Sequence, residues 1–246
     1  MKRLKLLACK AIYREMSLLS SLCGNFVDAT YLRQGLHDTP ALLQKALQQE
    51  IDGIDSGEDM HSYNPRFGKD FDAIVLGYGL CSNGIAGLSS RKYTIVAPKT
   101  DDCIGLLLGS YARYREYFDK HGGTYWYTPS WIENAYTPSE EMEKALLAEY
   151  TEKYGEENAR YLVENELALK NYSRAAYIAW DELPFPEHEE YTRRAAEHYG
   201  WEYDKVAGGK ALLEDLLKGN WDERFLVVEP GKRIEADYEG GVIKAV

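Results

Sequence analysis

The apolar positions of this chain switch repeatedly between a period of two and a period near 3.6, and the switching predicts its elements. Lys5 to Cys9 is a short apolar run after a basic start, predicting a first strand that ends at Cys9. From Ala11 to Leu22 the residues Ile12, Met16, Leu19 and Leu22 fall at near-helical spacing. Cys23-Gly24-Asn25 closes that helix, with Gly24 and Asn25 suited to a left-handed C-terminal turn. Phe26 to Arg33 is β-branched and aromatic, a second strand. Pro40 suits the first position of a helix capped by Asp38 or Thr39, with Leu42, Leu43, Ala46 and Leu47 on its inner face. Asp52 to Lys69 is polar and predicts a surface loop.

Phe71 to Leu76 and Tyr93 to Ala97 are nearly continuous apolar runs, as buried parallel strands require. Cys103 to Phe118 predicts a helix and Thr124 to Thr128 a strand. Ser139 to Ala176 reads as helical with a break at Gly155, followed by a strand from Tyr177 to Trp180. A helix over Glu189–Tyr199, an extended segment at Trp201–Val206, a helix over Leu212–Leu217 and a strand over Phe225–Val228 complete the alternation. The pattern predicts an α/β fold: a Rossmann-like, mostly parallel sheet flanked by helices, with a helical excursion in the second half. One domain over residues 1–246 is expected, with 1–135 as the half carrying the site and 136–246 as the excursion and closing strands.

Composition narrows the function classes. With 45% hydrophobic and 28% charged residues, the chain is that of a soluble globular protein. A net charge of −11 argues against nucleic acid and anionic membrane as partners. No span approaches the roughly 20 apolar residues of a membrane helix. The basic start resembles a signal peptide, but its apolar run, Leu6 to Ala8, is shorter than the roughly 7 residues an h-region needs. A cytoplasmic protein is expected, its cysteines Cys9, Cys23, Cys81 and Cys103 reduced rather than paired.

The positions of those cysteines carry the functional argument. In the common strand order 2-1-3-4-5, strands one, three and four are neighbours, and ligands bind beyond their carboxyl ends. Cys9 ends strand one, Cys81 follows strand three, Cys103 follows strand four, and His37 follows strand two. Adjacent strands lie about 4.8 Å apart. Two thiolates on one zinc are roughly 3.8 Å apart, a difference that side chains leaning inward can close. The expected metal ligands are therefore Cys9, Cys81 and Cys103, holding zinc or, since thiolates suit both, a 4Fe-4S cluster with one open iron. The competing account is that free cysteines simply fill core space. Cys23, at a helix end, is expected to be structural.

His37 is a candidate fourth ligand or general acid/base, and also an ordinary loop histidine. Glu15, six positions past Cys9, either faces the site or pairs on the surface. Gly77, Gly79, Ser82, Asn83 and Gly84 form a turn that lacks the GxGxxG spacing and any P-loop lysine. Its backbone could cradle an anion, although a tight strand-to-helix turn explains it equally. Cys103 at a helix N-terminus is expected to have a lowered pKa, opposed by Asp101 and Asp102. Asp102 is either a carboxylate behind a bound cation or the helix cap. Trp126 and Trp131 suit a pocket wall or core packing, and His61, His121, His188 and His198 are expected on the surface.

GLHDTP at 35–40, LGYGLCSNGIAGL at 76–88, DDCIGLLLGSYARY at 101–114 and GTYWYTPSWIE at 123–133 resemble the signature blocks of an uncharacterised prokaryotic family, catalogued as domain of unknown function 1638. Cys9 with Glu15, and WDERFLVVEPG at 221–231, also fit that pattern, whereas the loop from Asp55 to Gly68 is longer than the family's. The resemblance implies an association with corrinoid-dependent methyl-transfer systems of anaerobic bacteria and archaea. It adds a small-molecule thiol, a methylated substrate, or a corrinoid or methyltransferase protein as the expected partner. Two functions follow as expectations: a zinc site activating a thiol or water, or a non-catalytic accessory protein that handles cofactor or metal for a methyltransferase. A nucleophilic Cys103 is a third.

Overall fold

A computed structural model describes residues 1–58, 70–166, 169–239 and 241–246. His61 and most of the loop expected at Asp52–Lys69 lie outside the described residues. The chain divides into two compact units, residues 1–114 with 209–246, and residues 115–208. The expected partition at 135/136 does not coincide with either boundary.

The first unit is built on a five-stranded sheet in the order β2-β1-β3-β4-β8: β1 is Arg3–Cys9, β2 Phe26–Leu32, β3 Ala73–Gly77, β4 Ile95–Pro98 and β8 Phe225–Val228. β1, β2, β3 and β4 are parallel, and β8 runs antiparallel to β4. The mixed α/β class with a mostly parallel sheet is thus as the periodicity predicts. The fifth place differs. It belongs to β8, while the strand at Thr124 starts another sheet.

Side chains of period two assign the faces of this sheet. Leu7 and Cys9, Ile74, Leu76 and Tyr78, and Ile95 and Ala97 share one apolar cluster with Leu43, Leu47, Ile51 and Ile54 of helix α2 (Pro40–Ser56). α2 runs past the expected end at Ile51 because Ile54 continues its apolar stripe, and Gly57 at φ 75° then closes it. Thr39 occupies the N-cap position without a side-chain capping bond, and Asp38 Oδ1 lies instead 3.4 Å from His37 Nε2. Helix α1 (Tyr13–Leu22) follows a 3₁₀ turn at Lys10–Ile12 and ends at Cys23 in extended backbone, not in the expected left-handed turn. Asn25 explains this: its side chain accepts from Lys2 N at 2.8 Å and donates to Leu217 O at 2.9 Å, tying the exit to neighbouring chain.

The helix expected over Cys103–Phe118 is two helices, α3 (Cys103–Leu107) and α4 (Tyr111–Lys120). The break is at Gly109, φ 71°, where an added Cβ would lie 2.6 Å from Gly209 O, so only glycine admits that close approach. A hairpin, β9 (Ile234–Ala236) and β10 (Ile243–Ala245), and helix α9 (Ala211–Lys218) complete the unit.

The second unit has its own parallel sheet, β5-β6-β7, from Thr124–Tyr127, Arg174–Ala179 and Glu202–Ala207. Helix α5 is Pro129–Asn134, α6 Glu140–Tyr154, α7 Glu156–Glu166 and α8 Pro186–Tyr199. Gly155 separates α6 from α7, where the sequence places the break. Arg174 to Ala176, expected as helix, are strand, because they pair with β5 on one side and β7 on the other.

Candidate functional site

The loops after β3 and β4 are sewn together, and this decides where the thiols lie. Leu80 N donates to Thr100 O at 2.8 Å and Cys81 N to Asp101 O at 2.7 Å. Gly79 is required here: a Cβ would fall 2.7 Å from both Thr100 O and Asp102 N, backbone atoms that cannot swing aside. Gly77 meets Ala8 Cβ at 2.6 Å across the β1–β3 pair, and Gly84 meets Leu43 at 2.5 Å. The space beside these three glycines is filled by the chain's own atoms, so close packing accounts for them without a ligand.

Cys81, Ser82 and Asn83 form a left-handed turn at φ 48°, 56° and 69°, closed by Gly84 N to Cys81 O at 2.9 Å. Each non-glycine residue in that region costs about 1–2 kcal/mol, and strain of this kind concentrates at functional sites. Tyr238 donates to Asn83 Oδ1 at 3.3 Å from outside the turn.

Asp102 is the cap of α3. Its Oδ1 accepts from Ile104 N at 2.9 Å and Gly105 N at 3.4 Å, and its Oδ2 accepts from Tyr114 Oη at 2.8 Å. Loss of solvent raises its pKa, with those three donors opposing and the charge of Asp101 adding to the rise. Of the two roles expected for Asp102, these contacts show the cap.

Cys9 is buried; Cys81 and Cys103 are half-buried and pack against the same apolar cluster. Desolvation raises the pKa of Cys9, and the N–H of Ala11, 3.4 Å from its sulfur, offsets part of the rise. Cys81 is pushed far above the usual thiol range by desolvation first, then by the charges of Asp102 and Cys9. Cys103 is likewise raised, by desolvation, then Asp102, Cys81 and Cys9. The lowering expected for Cys103 at a helix start is overturned: α3 has only 5 residues, and desolvation beside a carboxylate outweighs its dipole.

Tyr78 joins this group. It lies one step beyond the Ala8–Gly77 pair, is 2% exposed, and its hydroxyl has no hydrogen-bond partner among the described residues. Burial raises its pKa first, and Cys9, Cys81 and Cys103 add to the rise. Thr100 Oγ1, also buried and unpartnered, rests against Gly105 of α3. Neither residue stands out in the sequence. The available signal for Tyr78 was a polar-tipped aromatic between two glycines, immediately after a central strand.

The other expected site residues lie elsewhere. His37, half-exposed in a 3₁₀ turn at Leu36–Asp38, pairs with Asp38. Glu15 is buried in α1, and its charge acts on Tyr31 of β2. Cys23 donates to Ser20 O at 3.4 Å, a structural contact. Trp126 packs on Tyr117 with ring centroids 4.7 Å apart, and Trp131 is half-buried on α5. His121 lies against Tyr117, and His198 Nε2 is 2.9 Å from Glu143. His188 departs from its expected surface position: its side chain is 16% exposed and lies 3.9 Å from Glu133. Among the described residues, no group of three or more His, Cys, Asp or Glu side chains is arranged to hold a metal ion, and no helix is long and apolar enough to cross a membrane.

The family described as "Protein of unknown function (DUF1638)" matches the chain over residues 31–217. The chain belongs to the DUF1638 family. The match confirms the resemblance drawn from the signature blocks, four of which fall inside it. Within this DUF1638 chain Cys81, Cys103, Tyr78 and His37 lie in the matched span, whereas Cys9, Glu15 and the closing segment 221–231 lie outside it. No curated protein matches the chain.

Proposed function

We propose that this DUF1638 protein is a cytoplasmic metal-binding protein in which Cys9, Cys81 and Cys103 hold a zinc ion at the carboxyl edge of the sheet, serving thiol- or corrinoid-linked methyl transfer. One observation carries the reading: three thiols at or after the ends of three adjacent parallel strands pack on one apolar cluster. Protonated cysteine packs as a small apolar side chain, and a soft cation binds by displacing the proton, so binding here would release protons from the three thiols. Thiolate donors suit zinc, and three protein ligands leave a position for a small molecule. When bound, zinc supplies Lewis acidity there. The chain's own residues fix the rest: Asp102 holds α3 in place, and the strained 81–83 turn presents Cys81.

X-ray absorption of zinc-loaded protein tests the reading. Three sulfur scatterers at about 2.3 Å are expected. A shell of nitrogen and oxygen alone would refute it.

A further inference from the structure

We infer that the 115–208 unit carries a binding site for a small aliphatic amine in its primary ammonium form, built where the chain passes from α5 to α6. An open pocket of about 490 Å³ lies there, a size within the range of small-molecule sites. Ile132 and Met142 give it apolar surface, Tyr136 and Tyr191 aromatic rings, and Glu133 and Glu141 carboxylates. Every residue lining it belongs to this unit, so the site owes nothing to the thiols. One wall is restrained more tightly than a connecting loop requires. Residues 135–139 are held through their backbone by three tyrosines. Tyr191 Oη donates to Thr137 O at 3.2 Å, Tyr127 Oη to Pro138 O at 2.8 Å and Tyr199 Oη to Ser139 O at 3.2 Å. Ser139 Oγ then caps α6 by accepting from Met142 N at 3.0 Å. Thr137 and Ser139 are buried, yet Tyr136 beside them is 76% exposed and lines the pocket. A wall fixed in advance, with a large aromatic left uncovered on it, lowers the ordering cost of taking up a ligand.

Charge gives the class of ligand. Among the described residues, no lysine, arginine or histidine lines the pocket, so its two carboxylates set its sign. Each has a basic neighbour outside the lining, Arg194 at 3.7 Å from Glu141 and His188 at 3.9 Å from Glu133. Both separations exceed that of a hydrogen bond. An N–H within the pocket can therefore make the shorter, charge-assisted bond to either carboxylate. The two tyrosine rings add attraction for a cation. Ile132 and Met142 suit an alkyl chain, which an inorganic cation lacks. Carboxylate acceptors favour a primary ammonium, with three N–H donors, over a quaternary one with none. An anion of the same chain length would meet like charge.

Nuclear magnetic resonance titration of the full-length protein tests this, with n-pentylammonium as the probe and 1-pentanol and pentanoate as controls of the same chain. Pentylammonium should give saturable shifts in the amides of residues 132–145 and of Tyr191. Pentanol should bind at least about 10-fold more weakly, and pentanoate should give no shifts. Glu133→Gln should weaken pentylammonium about 10-fold by removing the charged acceptor, and Tyr136→Ala about 3-fold. Because Tyr136 is exposed, its variant keeps the test open should Glu133→Gln unfold. Pentanol or pentanoate matching pentylammonium would overturn the ligand class. Undiminished affinity in folded Glu133→Gln, or in Tyr136→Ala where the first variant does not fold, would overturn the site, as would shifts confined to other residues. Nα-acetyl-lysine methylamide is the last arm. Tighter binding of it than of pentylammonium would show that the ammonium is a lysine side chain of another molecule and would overturn the free amine.

Discussion

In the 115–208 unit the buried hydroxyls of Tyr127 and Tyr177 donate to Pro138 O at 2.8 Å and Phe185 O at 3.3 Å, and those of Tyr191 and Thr137 share a bond of 2.8 Å. In the other unit Tyr78, equally buried, donates to nothing among the described residues. The strand exits differ in the same way. Thr128, after β5, caps α5 by accepting from Trp131 N at 3.0 Å, an ordinary strand-to-helix turn. After β3 the chain instead makes three consecutive left-handed residues and sets Cys81 beside Asp102. Both units use parallel strands and aromatic packing. The 115–208 unit commits these hydroxyls to its own chain, and the other leaves those of Tyr78 and Thr100 without a partner among the described residues. Unpaired polarity and backbone strain, occurring together, mark a site more sharply than fold class does.

The contrast can be broken by substitution. Gly79→Ala should cost about 3 kcal/mol, because its Cβ would strike backbone that cannot yield. Gly200→Ala, in the other unit at φ 66° with nothing within 4 Å, should cost about 1 kcal/mol through backbone strain alone. Chemical denaturation compares the two, and equal costs would show that the sewn loops are no tighter than an ordinary helix end.

A pH titration of the metal-free protein separates the units next. Desolvation raises Cys81 and Cys103 above the unfolded thiol pKa near 8.5, so the folded state keeps protons that the unfolded chain releases. That contribution is complete below about pH 8.5 and is lost as pH rises toward the folded values. By pH 9.5 the loss is about 1.4 kcal/mol per thiol. It should show more strongly in hydrogen exchange of residues 1–114 than in 115–208, which contains no cysteine and whose raised groups are tyrosines that ionise only near pH 10 when unfolded. Stability constant to pH 9.5 in the first unit would contradict the burial of these thiols.

Smallest is the hydroxyl comparison. Tyr127→Phe should cost about 1 kcal/mol by leaving Pro138 O unpaired, while Tyr78→Phe should leave thermal stability unchanged or slightly raised. A matching loss in Tyr78→Phe would mean that its hydroxyl is held within the protein.

Much of this architecture was legible because burial writes itself as period. The order 2-1-3-4 follows from four apolar runs, and Cys9, Cys81 and Cys103 could be placed at strand ends before any coordinates. The second sheet was hidden because Arg174-Ala175-Ala176 are good helix formers whose state is decided by partners 50 and 28 residues away in Thr124–Trp126 and Glu202–Asp204. The break between α3 and α4 was hidden because it depends on Gly109 meeting Gly209, a contact distant in sequence. Tyr78 was hidden for a different reason. A tyrosine announces itself as packing, and only the missing partner of its hydroxyl shows otherwise.

A zinc site at this edge requires the three thiols to act together. Its most direct test is the metal and acid-labile sulfide content of protein purified without oxygen, wild type beside Cys9→Ser, Cys81→Ser and Cys103→Ser. One zinc per chain, absent sulfide and loss of the zinc in each single variant are predicted. Iron with sulfide, or zinc retained in any one of the three folded variants, would contradict the zinc site proposed for this edge.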